Sequence, residues 1–184
     1  MSPSEPSERE EFVDGLRLEA DVTADDFKTA MKGAIKDRSL IFLFIWRTLR
    51  DMYPDVDAVK VMQKASWEFG LVKGAAIARR IGGTDKNAKE VLGGQTSKGG
   101  MLVFEQEIAE FSDDRAVKLF DACPHLECFR EQGATEEEME VLCREMLCWG
   151  DYGTFAPFEN VKMEWPETLS DSGGRHCSMT LTRK

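Results

Sequence analysis

Apolar residues recur every three or four positions through the first half of the chain and at every second position near its end, a change of period that predicts helices followed by sheet. Thr23-Ala24-Asp25-Asp26 sets a hydroxyl three residues ahead of a carboxylate, so a helix is expected to begin near Asp25. Phe27, Met31, Ala34 and Ile35 form its early stripe, and a run from Ser39 to Met52 with Ile41, Ile45 and Leu49 ends at Pro54. The pattern leaves open whether these are one helix or two. Asp55 to Ile81 carries the longest helical pattern, closed by Gly82-Gly83. Small residues within it, Gly70, Gly74, Ala75, Ala76 and Ala78, allow a second backbone or a ligand to come close, tight helix packing being the plainer expectation.

Gly93 to Gly100, with four glycines flanking polar residues, reads as a flexible connector and hinge. It lacks the order of a phosphate-binding loop. Leu102 to Ala109 and Arg115 to Phe120 are expected as strands joined at Ser112-Asp113-Asp114. A short helix should run from Pro124 to Gln132 and stop at Gly133. Thr135 to Glu138 is a second capping box, opening a helix through Met139, Leu142, Cys143, Met146 and Leu147. Val161 to Trp165 and Cys177 to Thr182 alternate as two antiparallel strands across the turn at Asp171 to Gly174. The expected fold class is α+β: an N-terminal helical half packed on a C-terminal antiparallel sheet of about four strands, with two intervening helices. Residues 1–22 are expected as a loosely packed or disordered tail and 23–184 as a single domain.

The balance of 34 acidic against 24 basic side chains gives a formal charge of −10, which repels nucleic acid and anionic membrane surfaces but leaves a small anionic substrate open to a local basic group. The most apolar stretch, Leu40 to Trp46, is far shorter than the ~20 residues of a membrane span. It could equally serve as a partner surface, with a homodimer as the expected assembly. Met1 to Glu11 lacks the apolar middle of a secretory signal. Five cysteines form an odd set that a disulfide framework cannot fully pair, and a reducing cytoplasm is the expected location.

Chemistry is expected near the end of the chain. If Met179 and Leu181 face the core, so does Cys177, two residues away on the same strand. His176 then points to the other face or curls at the strand entrance. Cys148-Trp149-Gly150-Asp151 is expected at the C-terminal end of the preceding helix, where a pocket can open. Cys128 and Cys143 read as packing residues.

These residues fall in a recognisable order. Cys123-Pro124 opens a short helix, Cys148-x-x-Asp151 follows, and Thr168-Leu169-x(4)-Gly174-x-His176-Cys177 leads into the last strand. Together with Asp37 to Ile41 and Phe69 to Ala78, this order resembles the L-2-amino-thiazoline-4-carboxylic acid hydrolase family from about Arg38 to the C-terminus. The closing motif in relatives usually continues Cys-Asp-Phe, whereas here it reads Cys177-Ser178-Met179. The resemblance implies hydrolytic opening of a thiazoline ring at the carbon between sulfur and nitrogen, giving N-carbamoyl-cysteine. That reaction needs a nucleophile, an acid for the leaving atom and a cation for the substrate carboxylate. Cys148, Asp151, His176 and Cys177 are the implied catalytic residues, and Cys123 and Arg175 the implied substrate-binding ones. His125 is the other histidine, and Arg79 and Arg80 are further candidate anchors. No cofactor is expected. A zinc site built from Cys123, Cys148, Cys177, His176 and Asp151 is one alternative, and a sensor-like domain that binds a small molecule without turnover is another.

Overall fold

The computed structural model describes residues 22–184, so the expected tail lies outside the described residues except for Val22. Helix α1 runs without a break over Ala24–Met52, its N-terminus closed by the expected capping box between Thr23 and Asp26. The two helical patterns are therefore one helix of 29 residues, the longest among the described residues. Nothing between them breaks it: Gly33 faces open space, and the first proline after Thr23 is Pro54. The apolar run divides across this helix, with Leu43 and Trp46 buried and Ile41, Phe44 and Ile45 exposed. Helix α2, Ala58–Ile81, is capped by Asp57 and ends at Gly82, whose φ of 80° suits a residue without a side chain.

The expected hinge is not a flexible connector. Gly93 and Gly94 lie in helix α3, Ala88–Gln95, and Gly99 and Gly100 in helix α4, Lys98–Val103. Two local features overrule the glycines. Asn87 and Glu90 form a capping box, Ser97 caps α4, and the burial of Val91, Leu92 and Val103 anchors both turns. Leu102 and Val103 consequently belong to α4, and strand β1 starts later than expected, at Gln106–Phe111.

Strand β2, Arg115–Phe120, pairs with β1 and leads to helix α5, Pro124–Glu131. Helix α6, Glu136–Glu140, carries the expected capping box and passes into a π-helical stretch, Val141–Leu147. The chain then continues as helix α7, Cys148–Phe155. Cys148 to Asp151 thus stand inside a helical rod and not at its end, a correction to the expected turn. Strands β3, Val161–Glu167, and β4, Cys177–Arg183, complete an antiparallel sheet of order β1-β2-β4-β3.

Helices α2 and α7 pack backbone against backbone. A Cβ on Gly70 would lie 2.1 Å from the Gly150 carbonyl oxygen, one on Gly74 2.3 Å from that of Thr154, and one on Gly153 2.4 Å from that of Trp67. Gly70 and Gly74 of α2 therefore serve helix packing, whereas Ala75 and Ala76 are exposed. This contact presses α7 towards the inner face of the sheet, where Ala116, Phe120, Met163, Cys177, Met179 and Leu181 meet Ile77, Leu92, Phe155 and Phe158. A second cluster joins Leu43 and Trp46 of α1 to Met62, Phe129, Leu142, Cys143 and Cys148. Tyr152, Trp165 and Leu169 touch both clusters, and the polar groups described next gather at that seam. None of the described helices is long and apolar enough to cross a membrane.

Candidate active site

Strand β2 brings an unexpected residue to the seam. Its alternation turns Ala116, Lys118 and Phe120 to the helix-covered face, beside Leu181, Met179 and Cys177 of β4. Lys118 is completely buried there. Its Nζ donates to Thr96 Oγ1 at 3.0 Å and to Gln95 Oε1, and lies 5.5 Å from the centre of the Phe120 ring. Burial pushes its pKa down from 10.5 to about 8, against the pull of the Asp151 charge.

Asp151 reaches the seam from α7. It retains some open surface, yet burial pushes its pKa up from 3.8 to about 6, against the pull of Lys73 and Lys118. Among the described residues its carboxylate has neither a hydrogen bond nor an ion-pair contact; the two lysines act on it only at a distance. A carboxylate in that state is ionised at neutral pH and poised to take a proton.

His125 is the second residue of α5, its Nδ1 2.7 Å from Ser39 Oγ. Ser39 spends its own proton on the Ile35 carbonyl at 2.7 Å, so Nδ1 must donate and Nε2 carries the lone pair. Burial, helped by the charges of Arg38 and Lys73, pushes the His125 pKa down to about 3 and keeps the ring neutral.

Four cysteines surround these groups. In the π-helical stretch, residues five apart share a face, which sets the Cys143 and Cys148 thiols against one another. Their mutual hydrogen bond draws the Cys143 pKa down, with Ser170, Thr168 and Arg144 acting in the same direction. The same bond, burial and the Asp151 charge drive Cys148 up. Of the two thiols, Cys143 is therefore the one whose deprotonation the surroundings favour. Burial raises Cys177 to about 12, although it accepts the Leu169 N–H at 3.2 Å. Burial likewise raises Cys123, which lies at the start of α5 within electrostatic reach of Cys143 and Cys177.

The turn between β3 and β4 wraps this thiol group. Arg144 holds both carboxylate oxygens of Asp171, through Nε at 2.8 Å and through Nη2, and donates from Nη1 to the Trp165 carbonyl at 2.7 Å. Asp171 in turn accepts from the Thr168 backbone and hydroxyl. Gly174 fits because a Cβ there would stand 2.2 Å from the Thr168 carbonyl oxygen. The closing sequence motif is thus a strap that presents Thr168 and Ser170 to Cys143 and Leu169 to Cys177.

With that geometry in view, the family model of L-2-amino-thiazoline-4-carboxylic acid hydrolase matches residues 35–181. The chain belongs to this hydrolase family. No curated relative matches it. The hydrolase motifs map unevenly onto the seam. Cys123, Cys148 and Cys177 each lie within electrostatic reach of Cys143, and Asp151 within reach of Cys148. His176 stands at the entrance of β4 with its Nε2 3.5 Å from Glu167, and its side chain is 30% exposed. Arg175 is exposed, its backbone N–H donating to Glu167 Oε1 at 3.0 Å. Arg79 and Arg80 are exposed at the end of α2.

Sequence reasoning missed Lys118 and undervalued Cys143 and His125. The signal for Lys118 was present: a lysine between Ala116 and Phe120 occupies the inward position of an alternating strand. Among the described residues no group of three His, Cys, Asp or Glu side chains is placed to hold a metal ion.

Proposed function

We propose that this hydrolase opens a small cyclic amidine, such as 2-amino-thiazoline-4-carboxylate, by adding water to the ring carbon between sulfur and nitrogen. Asp151 takes one proton from the attacking water, the other passes to the ring nitrogen as the new oxygen becomes the carbonyl of a carbamoyl group, and the carbon–sulfur bond breaks. The departing sulfur recovers a proton and N-carbamoyl-cysteine is released. The observation that carries this reading is the Asp151 carboxylate, which among the described residues has no hydrogen-bond or ion-pair partner, is pushed by burial towards its protonated form and feels the Lys118 charge at a distance. Cys148 and Cys177 line the same seam as protonated thiols, and Cys123 closes its α5 side. His176 and Arg175, at the mouth of β4, receive no chemical step here.

A second route is supported by the lowered pKa of Cys143. Its thiolate would attack the same carbon and displace the ring sulfur, leaving an amidine thioester-like adduct that water then hydrolyses. Turnover of 2-amino-thiazoline-4-carboxylate by wild type, Asp151→Asn, Cys143→Ala and Cys148→Ala decides between them. Loss in Asp151→Asn alone supports the water route, and an adduct seen by intact mass in wild type and absent in Cys143→Ala supports the thiolate route. Binding without turnover in wild type would mark a sensor-like domain and end the hydrolase reading. Five free thiols accord with a reducing, cytoplasmic setting. A homodimer through the exposed Ile41, Phe44 and Ile45 face of α1 completes the proposal, and sedimentation of wild type against Ile41→Lys tests it.

A further inference from the structure

Lys118 is placed unlike any other cation in the described chain. It is fully buried on the apolar face of the sheet, and its two hydrogen-bond acceptors, Gln95 and Thr96, are neutral. An ammonium has three donors, so one is left without an acceptor among the described residues. The charge that acts on it, Asp151, stands too far away for an ion pair and has no hydrogen bond of its own among the described residues. Keeping two opposite charges apart in a largely buried setting destabilises the fold; Lys118 ties β2 to the end of α3 through neutral acceptors only, and among the described residues the Asp151 carboxylate holds no other element in place. A ligand with an anionic group at one end and an N–H cation at the other would satisfy both.

We infer that Lys118 selects substrates that carry a carboxylate, with Gln95 and Thr96 orienting its free N–H towards that group and Asp151 facing the amidine end. This rests on the hydrolase reading and adds a specificity residue to it. The arginines that the sequence offered for the same task, Arg79, Arg80 and Arg175, are all exposed. Thr96 Oγ1 also donates to the Leu92 carbonyl at 2.8 Å, which fixes its lone pairs towards Lys118. The ammonium is therefore held from behind by the end of α3.

The test compares two ligands, 2-amino-thiazoline-4-carboxylate and the same ring without its carboxylate, on wild type and Lys118→Met. Methionine is one heavy atom shorter, unbranched like lysine, and suits a buried position. Wild type should prefer the carboxylate in kcat/KM, and Lys118→Met should lower that preference by at least about 30-fold, mostly through KM. Gln95→Ala, a milder change at the edge of the seam, should lower it by roughly 5-fold and keeps the test valid if Lys118→Met does not fold. Equal losses on both ligands would make Lys118 a structural residue and overturn the inference. If wild type turns over neither compound, the hydrolase reading fails separately, and calorimetric binding of the same two ligands decides for Lys118. A carboxylate preference that disappears in the variants supports the assignment, and the absence of any preference or any binding in wild type refutes it.

Discussion

Replacing Asp151 with asparagine should make the protein more stable and less active at once. In the folded chain the carboxyl titrates near 6, against 3.8 when solvated. The native state therefore binds the proton more tightly than the unfolded state, and the stability this brings is present in full below pH 3.8 and lost as pH rises through 6. The separation of those two values corresponds to roughly 3 kcal/mol. Asparagine, with nearly the shape of the protonated acid, carries no such loss. The stability gap between Asp151→Asn and wild type should widen from roughly 1 kcal/mol at pH 4.5 to roughly 3 kcal/mol above pH 7. With a urea slope of about 2 kcal/mol per molar, the midpoint at pH 7.5 should move up by about 1.5 M. Paired urea titrations of the two proteins at pH 4.5, 6 and 7.5 read this, because titrating groups that do not feel the Asp151 charge cancel. Turnover should fall by about 100-fold or more in the same variant. A stability gap that does not change with pH, or a variant less stable than wild type at pH 7.5, would show that the carboxylate is solvated or partnered, and its role as proton acceptor would fall with that.

Four further outcomes follow from other parts of the molecule. Gly70→Ala should lower stability by about 3 kcal/mol and the melting temperature by roughly 6–12 °C, since its Cβ would meet the Gly150 carbonyl at 2.1 Å. Gly33→Ala, with nothing within 4 Å, should stabilise by about 0.5–1 kcal/mol in the same thermal scans. Arg144→Met should free the strap around Asp171 at a cost of roughly 1–3 kcal/mol, seen as faster amide exchange from Leu169 to Gly174; unchanged exchange there would remove the strap argument. Alkylation of the native protein at pH 7.5, followed by peptide mapping, should label Cys143 ahead of Cys148 and Cys177, and the reverse order would place the thiolate elsewhere.

The elements were legible where a local signal stood alone. The Thr23 and Thr135 capping boxes, the stop at Gly82 and the alternation before and after Asp171 each have one physical reading, and the helices and strands lie there. Between residues 87 and 103 two signals competed. The glycines argued for a loop, while Asn87, Ser97 and a few buried aliphatic residues argued for helix, and capping with burial prevailed. The site was legible as an order of motifs but not as a geometry. Cys148 and Asp151 could be found by spacing, and the strap from Thr168 to Cys177 by its pattern. Lys118 was hidden by the habit of assigning lysine to solvent, and the pairing of Cys143 with Cys148 by a helix assumed to keep one pitch throughout.

That change of pitch makes length a hidden requirement of this protein. A π-helical turn amounts to one surplus residue in a helix, and each residue turns the rod by about 100°. Removing any single residue between Val141 and Leu147 would leave a respectable helix whose downstream half had swung by that angle. Gly150 and Gly153 would leave the groove of α2, Asp151 would leave the sheet, and Cys148 would part from Cys143, all without a change in any of the four. For this chain a one-residue deletion in an ordinary-looking helix is thus a graver lesion than most substitutions at the seam itself. Sequence comparisons that place gaps freely within that helix would misalign the residues that matter most.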